Sequence, residues 1–180
     1  MKPDFYLPIL KSKEGEFTAL SKLDSFTRKH ICPLIEVSRL EYDSESKQKP
    51  KSMEEHLHSF CHKKFIKKWC CDNTFIDTFL LDGILVNGKT CLEYIFLQVV
   101  TGLLMPVVPI PVAHIGESMM SRLGLVNVIN TYPVKEIGIR LRIEDAMDVH
   151  LEEKISALLK ETGFEPENCH LIFDLADSDY

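Results

Sequence analysis

Short apolar segments recur along the chain, and helical patterns separate them. The clearest segment lies within residues 136–145, where hydrophobic and other residues alternate with a period of two, as in a half-buried strand. Its apolar positions are Ile137, Ile139, Leu141 and Ile143, and the positions between them are Gly138, Arg140 and Arg142. Arginine is rarely buried without a partner, so this face of the strand borders either water or a polar cavity lined by carboxylates.

The same pattern predicts six strands and five helices in alternation. Residues 80–89 contain two turn dipeptides, Asp82-Gly83 and Asn87-Gly88, which favour a small hairpin. Thr90 and Glu93 form a predicted capping box, and Gly163 is a predicted helix C-cap. The predicted strands are 4–11, 30–38, 74–79, 106–112, 137–143 and 169–175, and the predicted helices are 16–29, 54–71, 90–104, 116–130 and 144–162.

Alternating strands and helices predict an α/β protein with parallel strands and right-handed crossovers. Two architectures fit this order, an open doubly wound sheet and most of a (β/α)₈ barrel. The chain has no Gly-x-Gly-x-x-Gly sequence after a strand and no P-loop, which removes the main support for a nucleotide-binding sheet. We expect residues 1–180 to form a single domain.

Charged residues recur at the carboxyl ends of the predicted strands. Parallel strands bring these ends to one rim, where α/β proteins bind ligands. The catalytic candidates are Glu36, Asp77, His114 and Asp174, and the ligand-binding candidates are Lys11, Arg140 and Arg142. A second interpretation is a structural ion network in which Arg140 pairs with Glu36 or Asp174, and such a network need not add net stability.

The net charge and the cysteines indicate which partners and which cellular compartment to expect. The net charge of −6 and the pI of about 5.6 argue against binding to nucleic acid or acidic membranes. We therefore expect the basic residues Lys63, Lys64, Lys67 and Lys68 to be solvated. No signal-peptide pattern and no apolar run of about 20 residues is present, so we expect a cytoplasmic protein with reduced thiols at its six cysteines.

Several short motifs occur in order along the chain: Tyr6-x-Pro8-Ile-Leu-Lys11, Gly15-Glu16-x-x-Ala19-Leu20, Pro33-Leu-Ile-Glu36-Val, the strand of Asp77, Pro109-x-Pro111-Val, Arg140-Leu-Arg142 and Ile172-Phe-Asp174-Leu. Together they resemble the phage and bacterial beta-protein family. The resemblance covers nearly the whole chain and implies a TIM-type barrel. Because the sequence predicts only about six strands, we expect an incomplete barrel without the last two β/α units. The resemblance also implies a role in phage–host conflict, in satellite-phage or anti-phage defence clusters, and it supplies no catalytic residues.

Two functions follow from these observations. The first is a non-enzymatic accessory protein, without a cofactor, that restrains a toxic protein encoded by a neighbouring gene; a partner chain or a second copy would cover the open side of the barrel. The second is a phosphoester or nucleotide hydrolase in which Glu36, Asp77 and Asp174 hold Mg²⁺ and the arginines with Lys11 clamp phosphate. The lack of a recognisable catalytic motif favours the first and leaves enzymatic activity open.

Overall fold

The computed structural model describes residues 5–40, 52–69, 74–102 and 107–174. Its main feature is one six-stranded sheet in which every neighbouring pair of strands is parallel. The six strands are β1 (Ile9–Lys11), β2 (Leu34–Glu36), β3 (Phe75–Asp77), β4 (Ile110–His114), β5 (Ile137–Arg142) and β6 (Cys169–Asp174).

The strands lie in the sheet in the same order as in the sequence, from β1 at one edge to β6 at the other. A doubly wound sheet reverses its strand order partway, whereas a barrel adds each strand beside the previous one. The sheet is therefore a parallel half-barrel, which confirms the incomplete α/β barrel and rules out the doubly wound alternative. Pro8, which removes a backbone donor, precedes the edge strand β1, where that loss is tolerated.

Helices connect the strands, with more breaks than the hydrophobic pattern predicts. The first predicted helix is divided because Asp24 caps a new helix by accepting hydrogen bonds from the backbone N–H groups of Phe26 and Thr27. The helix Met53–Ser59 continues directly into a π-helix, Phe60–Trp69. The α-helices are α1 (Glu14–Ser21), α2 (Ser25–Arg28), α3 (Met53–Ser59), α4 (Cys91–Thr101), α5 (Met119–Thr131), α6 (Ile143–Ala146) and α7 (Leu151–Thr162).

The predicted turn and cap signals are confirmed. Thr90 and Glu93 form a capping box at the start of α4, and Gly163 ends α7 in the left-handed conformation. A two-stranded hairpin pairs Leu85–Val86 with Lys89–Thr90. Its turn residues Asn87 and Gly88 both have positive φ, as a two-residue hairpin turn requires.

The two faces of the sheet are covered differently. The outer face contributes alternate strand residues such as Ile35, Ile76 and Ile139 to a large core shared with the helices. The concave face carries a smaller apolar cluster that includes Leu34 and Phe75, against which Phe5 and Leu7 pack. The charged rim residues share the phase of this concave face, so they extend from the end of the barrel interior.

Gly138 lets a large side chain cross the concave face. A Cβ atom at this position would lie 2.9 Å from Cδ1 of Phe75 and 3.3 Å from Cδ1 of Ile172. The ring of Phe75 on β3 also reaches His170 on β6, with ring centroids 5.5 Å apart. Two strands separate β3 from β6, so the contact requires the strong curvature of a barrel.

Candidate functional site

Arg140 on β5 forms the centre of the rim. Its Nη1 lies 2.9 Å from Oε2 of Glu36 and 2.6 Å from Oδ2 of Asp77. Its Nη2 and Nε donate to Oδ2 of Asp174 at 2.5 and 3.1 Å. One guanidinium thus connects three carboxylates from β2, β3 and β6, an arrangement suited to the planar fork of donors on arginine.

Asp77 is the most deeply buried member of the network. Burial alone would raise its pKa, but the hydrogen bond from His114 and the charges of His114 and Arg140 outweigh it, so the pKa lies below its usual value. The backbone N–H of Phe79 donates a further hydrogen bond of 2.9 Å to Oδ1. Burial works against the charged form of Arg140 as well, yet Asp77, Asp174 and Glu36 raise its pKa. Both groups are therefore ionised in the folded protein.

His114, at the end of β4, completes the buried side of the network. Its Nε2 lies 3.1 Å from both carboxylate oxygens of Asp77. An ionised carboxylate only accepts hydrogen bonds, so Nε2 must carry a proton. The ring of Phe79 stacks on the imidazole, with centroids 4.3 Å apart and planes inclined by 27°. Asp77 and Phe79 thus fix the orientation of His114, as is needed for either a structural histidine or an acid–base group.

The structure brings five of the seven predicted rim residues into one hydrogen-bonded network: Glu36, Asp77, His114, Arg140 and Asp174. The other two lie at the same rim in different settings. Lys11 is exposed and is aligned with Glu36 across β1 and β2. The guanidinium of Arg142 lies 4.4 Å over the ring of Phe79.

The position of Arg142 corrects one expectation from the sequence. Its phase along β5 indicates that it faces the same carboxylates as Arg140. Instead, its side chain covers Phe79 and its backbone N–H donates to Asp145 at 2.9 Å. The physical reason is that Arg142 stands at the end of the strand, beyond the level at which Arg140 meets the acids, where an aromatic face offers a cation–π contact.

Two further acidic residues, Glu117 and Glu16, have buried carboxylate oxygens. Glu117 precedes α5, whose N-cap is Ser118, and its side chain is 7% exposed. Its Oε1 accepts a 2.9 Å hydrogen bond from the backbone N–H of His114, and its Oε2 has no hydrogen-bond partner among the described residues. Burial raises the pKa of Glu117 to about 7, although His114 and Arg122 oppose the shift.

A small cavity lies beside Glu117, below the rim. It has a volume of about 10 Å³, roughly the space of one water molecule. Polar side chains form part of its wall: Thr78, Thr90, Glu117 and Ser121.

The second acidic residue is Glu16. Burial raises the pKa of its carboxyl group, and the charge of Glu36 adds to this shift, while a hydrogen bond from the backbone of Lys11 opposes it. The Oε2 atom of Glu16 is buried and has no hydrogen-bond partner among the described residues.

The metal candidates Glu36, Asp77 and Asp174 do converge, but they do so on the guanidinium of Arg140. Over residues 5–40, 52–69, 74–102 and 107–174, no group of three histidine, cysteine or acidic side chains has the arrangement of a metal site. A cation at this position would compete with Arg140 for the same oxygen atoms.

Other features of the sequence also have defined positions. Lys64 donates to the carbonyl oxygen of Ser12, and Lys68 pairs with Glu14, so half of the basic run packs against the start of α1. The four described cysteines, Cys32, Cys61, Cys91 and Cys169, are free thiols, and Cys70 and Cys71 lie outside the described residues. In the part of the chain that the structure describes, no helix has the length and apolar character needed to cross a membrane.

Comparison with known proteins gives one match. A family model described as Beta protein covers residues 6–180, nearly the whole chain. The searches of curated proteins and of solved structures gave no match.

Proposed function

Because the chain belongs to the Beta protein family, we propose that it is an accessory protein that binds and restrains a protein partner in phage–host conflict. The family indicates a phage-type protein. The proposed partner is the toxic product of a neighbouring gene in an anti-phage defence or satellite-phage gene cluster. We propose that the two proteins meet in the bacterial cytoplasm.

The open side of the half-barrel is the observation that carries this proposal. Strands β1 and β6 are the two edges of the sheet in the described part of the chain. Ile9 on β1 and both Leu171 and Phe173 on β6 are exposed. Edge strands with exposed apolar side chains favour association with another chain.

The rim network supports the same proposal. Arg140 satisfies three carboxylates at once, and Asp77 in turn fixes His114. A network of this kind holds the ends of five strands, β2 to β6, in one arrangement. Rigid surfaces lose little conformational entropy on binding, which favours tight association.

Co-expression with the product of the adjacent gene tests the proposal. We expect the tagged protein to retain this product through affinity purification and size-exclusion chromatography, and to reduce its toxicity to the host. A neighbour that stays equally toxic and elutes separately would refute the proposal. Light scattering of the protein alone separates this outcome from self-association, which would instead give a mass of two or more chains.

The convergence of three carboxylates near an oriented histidine favours a second candidate, a Mg²⁺-dependent phosphoester or nucleotide hydrolase. Glu36, Asp77 and Asp174 would hold the metal after Arg140 turns towards a phosphate, and His114 would move a proton. Calorimetric titration with MgCl₂ tests this candidate. Heat that disappears in Glu36→Ala and Asp174→Ala would support the hydrolase, and no metal-dependent heat would favour the binding protein.

A further inference from the structure

Several large apolar side chains are exposed in the two segments that follow β4 and β5. Among them, Met119 is 82% exposed, Met147 is 79% exposed and Val149 is 90% exposed. A group of exposed apolar side chains on one surface often marks an interaction site, whereas single exposed apolar side chains do not. We call the following six residues the methionine patch: Met119, Met120, Leu123, Ile143, Met147 and Val149.

The sheet topology brings the two halves of the patch to the same rim. Strands β4 and β5 are parallel neighbours, with His114 aligned to Arg140. The α5 helix begins five residues after His114, and α6 begins directly after Arg142. Both segments therefore leave the same edge of adjacent strands. Met119 and Leu123 are four residues apart and share one face of α5.

The surroundings of the patch are acidic. Residues 143–153 contain five acidic residues and no lysine or arginine. Glu144, Glu152 and Glu153 are exposed. Of the two basic residues that flank this stretch, Lys154 pairs with Asp148 and Arg142 lies over the ring of Phe79. At the same rim, Glu36 and Asp174 are partly exposed, although both are paired with Arg140. A ligand that covers the patch would thus meet negative charge around an apolar centre.

We propose that the methionine patch binds a basic amphipathic helix of a protein partner. Methionine side chains are flexible and polarizable, and they adapt to the apolar face of a bound helix. An amphipathic helix in a groove combines such apolar contacts with charges on its flanks, and basic flanks complement this acidic border. This inference rests on the proposed function, since it identifies the surface and the chemistry by which a partner is held.

Two other occupants fit the charges less well. An anionic membrane would be repelled by the acidic border and by the net charge of −6. A second copy of this chain, placed patch to patch, would bring two acidic borders together. The basic helix is the occupant that pairs opposite charges.

Two labelled peptides test the inference by fluorescence anisotropy. One is an idealised Leu/Lys amphipathic helix, and the other is a Leu/Glu helix with the same apolar face. We expect the Leu/Lys peptide to bind at least about tenfold more tightly, because like charges across an interface are strongly disfavoured. We also expect its binding to weaken when salt is raised from about 0.05 to about 0.5 M, because salt screens exposed charges.

Protein variants locate the binding surface. The double variant Met119→Gln/Met147→Gln should weaken binding about tenfold, since each exposed side chain loses apolar area that the peptide would bury. The matched control is Phe26→Gln, which removes an equally exposed apolar group on α2, before the amino end of β2. Circular dichroism checks that both variants are folded, and the control should bind within about twofold of the wild type.

Equal binding of the two peptides, or no effect of the double variant, would overturn the inference. So would comparable binding to vesicles of phosphatidylglycerol, or a dimer that the double variant dissociates. The natural partner separates this inference from the proposed function. If the wild type and the double variant retain the neighbouring gene product equally, the methionine patch is wrong and partner binding stands. If neither retains it but the Leu/Lys peptide binds the patch, the patch stands and the proposed partner is wrong.

Discussion

Arg140 on β5 and Glu36 on β2 form an ion pair of 2.9 Å, although β3 and β4 lie between their strands. In a flat sheet, three strand spacings would separate them by about 14 Å at their backbones. Only a strongly curved sheet lets these side chains meet. The ion pair therefore depends on barrel curvature, and it links the two halves of the sheet at the rim.

Replacing Arg140 tests how much the fold depends on this network. We expect Arg140→Met to lower the free energy of unfolding by about 3–5 kcal/mol. The variant removes the cation that pairs with the buried Asp77, and Glu36 and Asp174 lose the same partner. Urea denaturation measures the change. The matched control is Arg142→Met, two residues along the same strand, which loses only a cation–π contact of about 0.5–1 kcal/mol. Equal losses in the two variants would contradict a special role of Arg140.

Gly138 tests the packing of the concave face. We expect Gly138→Ala to destabilise the protein by about 1–3 kcal/mol, because its Cβ would lie 2.9 Å from the ring of Phe75. Gly15→Ala is the control: a Cβ there meets no atom within 4 Å, and the helix α1 should gain up to about 1 kcal/mol. Thermal unfolding distinguishes the two. A neutral Gly138→Ala would mean that Phe75 does not cross β5.

Glu117 should make stability depend on pH. Burial raises its pKa from 4.5 to about 7, so in this interval the folded state holds a proton that the unfolded state releases. The free energy of unfolding should therefore fall as pH rises from 4.5 to 7, by roughly 3 kcal/mol at most from this group. Glu117→Gln keeps an acceptor for the backbone N–H of His114 and should remove this part of the pH dependence. Parallel curves for the variant and the wild type would exclude Glu117 as the cause.

The strands and the rim could be predicted from the sequence because both follow local rules. Alternation locates the strands, and its phase places Glu36, Asp77 and Arg140 on one face. The resemblance to the Beta protein family favoured the barrel over the doubly wound sheet. The observed strand order, which follows the sequence, is that of a barrel.

One of the remaining errors has a local cause, and the others have tertiary causes. The apolar spacing of Leu23 and Phe26 continued the first predicted helix through Asp24, yet Phe26 is exposed and Asp24 begins a new helix. The sequence did contain a signal for this break, because aspartate is a preferred N-cap residue and Asp24 directly precedes the second helix. The burial of Glu117 depends on how α5 packs after β4, and the contact of Arg142 depends on where the 3₁₀ turn Phe79–Leu81 places its ring. Neither is readable from spacing along the chain.

The affinity for the purified product of the neighbouring gene tests the central claim most directly. Isothermal titration calorimetry should give a saturable complex with a Kd on the order of 1 µM or tighter, in the range of specific protein–protein interfaces. No binding at concentrations of about 100 µM would contradict the claim that this half-barrel acts by holding a protein partner.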